Sequence, residues 1–149
     1  MQIKFGIGGL VVAMATAVLL SNAVQARDDR VKMSIKEAMD TEEAKNLLGD
    51  DIKFFFGKES TPKAARTFGT FTANKKTNFA NKSDSEGCAR AFLSSMIALR
   101  DRARREGANA VVNIESYYKK EVFNSATEYE CAAGNILGGV ALRGTVAKL

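Results

Sequence analysis

Apolar positions recur with a helical period between Ser83 and Gly107. Cys88, Phe92, Ser95, Met96, Leu99 and Ala103 fall on one stripe, which Ala91 widens, while Arg90, Arg100, Asp101, Arg104 and Arg105 line other faces. Ser83 and Glu86 have capping-box spacing, and Gly107 follows a basic last turn. The pattern predicts one long helix from about Asp84 to Glu106. Beyond it the period drops to two. Ala110 to Tyr118 predicts a strand with Val112, Ile114, Ser116 and Tyr118 on one face and Asn113, Glu115 and Tyr117 on the other. Lys119-Lys120 and Asn124-Ser125 fall in a hairpin connection. A strand follows from about Thr127 to Ala133, with Tyr129, Cys131 and Ala133 on one face. Gly134-Asn135 and Gly138-Gly139 flank the turn into a last strand, Val140 to Lys148, where Val140, Leu142 and Val146 share a face.

Upstream the elements are shorter. Ser34 to Glu37 again has capping-box spacing, Thr41 can cap a second short helix over Glu42 and Glu43, and Gly49 ends it. Ile52 to Phe56 predicts an aromatic strand and Arg66 to Thr72 a Thr- and Phe-rich one. Asn74-Lys75-Lys76-Thr77-Asn78 is polar and reads as a loop. The order of elements predicts an α+β fold: one long amphipathic helix packed on an antiparallel sheet, with a short helical N-terminal region. Residues 27–149 form one domain, with 27–83 as an N-terminal extension and 84–149 as the core.

Residues 1–26 follow different rules. Lys4 is the sole charge before Arg27, Phe5 to Leu20 is an apolar run, and Val24 and Ala26 supply small residues before Arg27. This is the pattern of a secretory signal peptide cleaved after Ala26. The apolar run is shorter than the ~20 residues that span a bilayer. No Cys follows it, which argues against a lipid anchor, so membrane attachment is expected only through the uncleaved segment. Cys88 and Cys131 lie beyond the cleavage point. In an oxidising compartment an even pair reads as a disulfide, two buried free thiols being the other reading. Cys88 lies on the helix stripe and Cys131 on an inward strand face, so a helix laid across the sheet brings them together.

Composition excludes chemistry more than it supplies it. The 149 residues contain no His, which removes Ser-His-Asp triads, Cys-His dyads and His-ligated zinc. Two cysteines cannot build a four-thiolate site, so no metal and no cofactor is expected. The net charge of +5 is uneven: residues 27–51 are net −3, 52–120 net +8 and 121–149 net −1.

The run from Ala103 to Ile114, ARREGANAVVNI, resembles the helix-to-strand junction of YbjQ-like domains. It is also similar to the core of RcsF-like envelope-stress sensor lipoproteins. That resemblance covers 84–149 and implies a helix leading into antiparallel strands. The RcsF-like arrangement also implies a bridge from a Cys near the helix start to one on a later strand, as Cys88 and Cys131 would make. The runs at 71–78, 81–84, 107–120 and 125–131 resemble a family of small exported proteobacterial proteins often labelled "excinuclease ATPase subunit". That label requires a nucleotide site, and the chain has no G-x-x-x-x-G-K-[ST] run. RcsF-like proteins carry a second disulfide and a lipid anchor, so their signalling role does not carry over. The heavy-metal-binding name given to some YbjQ-like domains has only two cysteines to support it here.

Candidate site residues are mainly basic. Lys75, Lys76, Lys82, Arg100, Arg104, Arg105, Tyr117, Lys119 and Lys120 form a candidate partner- or anion-binding surface, with Arg90 and Arg102 beside them. A solvated helix face and ordinary loop chemistry are the plainer reading of the same residues. Glu115, Glu128 and Glu130 are the carboxylates available on neighbouring strands for acid–base work. Three functions follow. The first is a non-catalytic periplasmic binding or envelope-stress accessory module for an envelope protein or an anionic envelope component, with nucleic acid not expected. The second is a small carboxylate-dependent periplasmic hydrolase, although the lack of a P-loop, His or triad argues against an enzyme. The third is a self-assembling structural domain, since YbjQ-like domains form rings.

Overall fold

The long helix forms as α3 (Asp84–Arg105), in a computed structural model that describes residues 27–149. The leader predicted over 1–26 and its cleavage site lie outside the described residues. Ser83 caps α3 by accepting the Glu86 amide at 3.1 Å, and Gly107 leaves it with φ +71°. Every residue of the predicted stripe is buried. Ser95, the one polar member, donates its hydroxyl to the Val140 carbonyl at 2.7 Å. Two short helices precede α3 in the chain: α1 (Ile35–Met39), capped by Ser34, and α2 (Glu42–Leu48), capped by Thr41.

Six strands make one mixed sheet: β1 (Asp29–Ser34), β2 (Lys53–Phe56), β3 (Arg66–Asn78), β4 (Ala110–Ser116), β5 (Glu128–Ala133) and β6 (Leu137–Lys148). β6 pairs with β3 along its whole length, from Lys148 opposite Arg66 to Leu137 opposite Asn78. Its other edge is shared. β4 takes one half, from Ala147 opposite Ala110 to Leu142 opposite Ser116, and β5 meets the other at Gly139 opposite Ala132. β1 extends the sheet beyond β5, and β2 extends it beyond β4. α3 lies across one face, giving the α+β architecture that the pattern predicts.

The Sγ atoms of Cys88 and Cys131 are bonded, joining α3 to β5 across the core with Cα atoms 5.8 Å apart. Beside the bridge the Phe92 ring stacks on Tyr129 at 4.3 Å, with Phe56 at 6.0 Å. Burial pushes the Tyr129 hydroxyl pKa upward. Phe79, which links β3 to α3, fills a slot between two glycines. A Cβ on Gly87 would come within 2.7 Å of its ring, and one on Gly138 within 2.5 Å.

The structure departs from the sequence expectations in six places. β4 and β5, expected to be joined as a hairpin, do not pair with each other, because both take places along one edge of β6. Asn74 to Asn78 is strand, not loop, because it pairs with β6 from Ala141 to Leu137 while its side chains stand at a solvent-facing edge. β1 was not visible as a strand, since only Val31 and Met33 alternate inward, opposite Cys131 and Tyr129. The alternation predicted for β4 breaks at a bulge after Val112, where Asn113 takes φ +48°. Val111 and Ile114 therefore face α3, while Val112 joins Ala110 and Ala147 in a small cluster apart from the main core. Tyr118 leaves the strand and begins a single 3₁₀ turn, Tyr118–Lys120. Finally, the sheet is not wholly antiparallel. β2 runs parallel to β4, which the long crossover through β3 and α3 permits.

Closing the 43-residue separation stabilises the fold by about 4 kcal/mol in the chain-entropy account. Replacing both cysteines by Ala is expected to lower the unfolding free energy by about that amount in urea titration. Gly138→Ala, which drives a methyl into the Phe79 ring and the Ala132 carbonyl, is expected to cost roughly 1–3 kcal/mol in the same measurement.

Candidate functional site

The sheet face away from α3 carries polar side chains. On β3, Thr70, Thr72, Asn74 and Lys76 stand opposite Thr145, Arg143, Ala141 and Gly139 of β6, and alternation turns them away from the helix side. Glu115 of β4 also stands opposite Arg143. Glu115 is only 7% exposed. Its Oε1 accepts from Arg143 Nε at 2.9 Å and Nη2 at 2.6 Å, and its Oε2 accepts from Asn124 Nδ2 at 2.9 Å. Asn124 also bonds Asn113 at the bulge and accepts the Lys58 amide. The Arg143 guanidinium lies 4.0 Å over the Tyr117 ring. The bulge, the loop and β6 are therefore tied together through one buried carboxylate. Both of its oxygens are engaged, so it is placed to hold structure, not to exchange a proton with a substrate. Glu128 is exposed and Glu130 partly buried on β5, where the Glu130 amide donates to Ser116 Oγ.

Next to this cluster lies a shallow cavity of about 120 Å³. Ala132, Gly138 and Gly139 form its floor, with Asn74 and Lys76 on one side and Asp28 and Tyr118 on the other. Asp28 accepts from Lys119 Nζ at 3.0 Å and from the Tyr118 hydroxyl at 3.3 Å. The Lys119 hydrogen bond, more than any other contact, holds the Asp28 carboxyl below its ordinary pKa. Lys119 and Lys120 both sit in left-handed backbone, at φ +50° and +63°, an uncommon conformation for side-chain-bearing residues.

The predicted basic set is spread over three regions. Lys76, Tyr117 and Lys119 share the polar sheet face, with Lys120 exposed beside them. Lys75 points to the other side of β3, opposite Val140, and Lys82 lies in the loop before α3. Arg100, Arg104 and Arg105 stand at the far end of α3. Arg100 donates to the Leu47 carbonyl and pairs with Asp101, while Arg104 grips Asp51 through bonds of 2.8 and 2.7 Å. These two arginines hold α2 against α3. Asp28, Arg143, Asn124 and the Gly138-Gly139 floor belong to the polar face but carry little signal in the sequence. The glycine doublet was legible only as a turn flank.

Among the described residues, no group of three or more His, Cys, Asp or Glu is clustered so as to hold a metal, and no helix is long and apolar enough to cross a membrane. Every buried side-chain nitrogen or oxygen among them has a hydrogen-bond partner. No family model, curated protein or solved structure matches the chain.

Asp84 is held below its ordinary pKa first by its hydrogen bond to Arg27, and Asp51 by its bond to Arg104. A carboxyl whose folded pKa is depressed adds stability above its unfolded value of ~3.9 and loses it as pH falls through the folded value. Stability is therefore expected to decline below about pH 4 through Asp28, Asp51 and Asp84, less steeply in high salt because Asp28 and Asp51 are exposed and Asp84 is only half-buried. In Arg27→Ala, NMR titration is expected to show the Asp84 carboxyl moving up toward its ordinary value. Glu115→Gln, which leaves Arg143 facing a neutral amide, is expected to lower the unfolding free energy by roughly 1–3 kcal/mol in urea titration.

Proposed function

We propose that the chain is a non-catalytic, exported binding module of the periplasm that engages an envelope protein or an anionic envelope component. The disulfide between Cys88 and Cys131 supports folding in an oxidising compartment, and the N-terminal pattern supports export. The observation that carries the reading is the open edge of β3. This 13-residue strand pairs with β6 on one side only, which leaves a row of backbone donors and acceptors for an incoming strand.

The edge is bracketed. A register shift between Thr67 and Gly69 interrupts one end, and Lys75-Lys76 places two charges near the other. Bulges and lysines are devices that discourage indiscriminate edge pairing. Between them Thr70 to Asn74 remains regular. Arg102 lies 3.8 Å over the Phe71 ring on the helix side, and Thr70 bonds Thr145 on the other. The window suits a short extended segment of a partner. The hydrolase reading has no free buried carboxylate to draw on, since Glu115 is bound by Arg143 and Asn124.

The test is photo-crosslinking in intact cell envelopes, with the crosslinking side chain placed at Thr72 and, as a control, at Glu59. An adduct of one defined mass at Thr72, absent at Glu59 and lost when Thr70→Pro is added, is the expected result. Adducts that contain only a second copy of the chain would make β3 a self-assembly edge and remove the partner reading.

A further inference from the structure

We infer that the turn joining β5 to β6 docks on a bilayer containing anionic phospholipid, with Ile136 and Leu137 as the apolar tip and Lys76 and Lys82 as headgroup contacts. This rests on the reading above that an anionic envelope component is a partner, and it names that component.

Ile136 is 70% exposed and Leu137 61%, more than any other large apolar residue described. Single exposed apolar residues are ordinary on a protein surface. Two consecutive ones, on a turn that carries no charge from Gly134 to Gly139, form a tip. An apolar tip with basic flanks is the composition of a surface that enters the headgroup region.

The basic flanks are fixed by the fold. Lys76 stands opposite Gly139 and lines the same shallow cavity as Leu137. The Phe79 amide donates to the Ile136 carbonyl at 2.7 Å, and the Lys82 amide donates to the Phe79 carbonyl at 3.1 Å, which brings the Lys82 loop against the turn. Among the described residues neither lysine makes an ion pair. Three carboxylates lie nearby: Asp84 and Asp29 share Arg27, at 2.5 and 3.0 Å and at 2.7 Å, and Asp28 pairs with Lys119 at 3.0 Å. Against Lys76, Lys82, Arg27 and Lys119 these three leave the end net positive by one charge.

The chain also enters the fold here. A Cβ built on Gly134 would lie 3.1 Å from the Arg27 carbonyl, so the first described residue lies beside this turn.

The experiment is vesicle flotation of the purified protein, with parent and variants in one N-terminal form confirmed by intact mass. One set of vesicles is phosphatidylcholine alone, and the other is one-third phosphatidylglycerol. The parent is expected to prefer the anionic vesicles. Ile136→Ser with Leu137→Ser is expected to lower partition at least about tenfold. Lys76→Ala with Lys82→Ala is expected to lower it roughly 25-fold, at about fivefold per lysine. The Arg pair at the same positions should retain binding, and unchanged urea midpoints show that the variants fold. Equal partition of the parent and the Ser pair, or no preference for anionic vesicles, would overturn the inference. So would displacement by inorganic phosphate together with indifference to the Ser pair, because that marks a phosphate site and not a bilayer. If vesicle binding fails while Thr72 adducts persist, only the bilayer is removed as partner. If vesicle binding holds while the Thr72 adducts are lost, the bilayer stands on its own.

Discussion

β6 is the constraint on which the architecture rests. It is long enough to give one whole edge to β3 and to divide the other between β4 and β5. That division forks the sheet, with β2 beyond one branch and β1 beyond the other. The same strand supplies Val140, Leu142 and Val146 to the helix face and accepts the Ser95 hydroxyl at the Val140 carbonyl. A helix laid across a forked sheet must hold both branches. The Cys88–Cys131 bond and the Phe92–Tyr129 stack tie α3 to the β5 branch, while Phe56 of β2 reaches the same Phe92 ring from the other.

The consequence is a molecule with two unlike faces. The helix side is apolar and bridged, and its glycines at 87 and 138 fit tightly against Phe79. Among the described residues no α-helix lies over the opposite side. Its order comes from hydrogen bonds: Glu115 with Arg143 and Asn124, Asp28 with Lys119 and Tyr118. A buried ion pair is weak evidence for stability in itself, but breaking one leaves an uncompensated charge. Here it fixes the bulge at Asn113 and the loop carrying Asn124, so the polar face keeps a definite shape.

Much of the helix side was legible because periodicity reports burial. The α3 stripe, its Ser83 cap, the inward face of β5 and the helix face of β6 all follow from spacing. What failed was set by pairing. Asn74 to Asn78 is polar, yet the full length of β6 recruits it into β3. Val112 and Ile114 obey alternation in the sequence, but one left-handed Asn separates their faces, and nothing in the residue types around Asn113 announces that a bulge falls there. The polar site was the least legible part. Arg143, Asn124 and Asp28 are ordinary residues until the forked sheet brings strands and loops together, and the basic set grouped by composition belongs to several surfaces.

The division between arginine and lysine explains why that grouping could not work. Arg27, Arg100, Arg104 and Arg143 each hold carboxylates or carbonyls within the fold, mostly through two nitrogens at once. A planar guanidinium suits such fixed, forked contacts, whereas an ammonium is a mobile point charge. Lys75, Lys76, Lys82 and Lys120 make no ion pair among the described residues, so they carry field outward while the arginines hold structure inward. Lys32, Lys53, Lys58, Lys63 and Lys148 are likewise without an ion pair among the described residues, so the outward charge is spread over the surface. Lys75, Lys76 and Lys82 are the part of it that borders strand β3 and the β5–β6 turn, the two places where backbone edge and apolar side chains are also left uncovered.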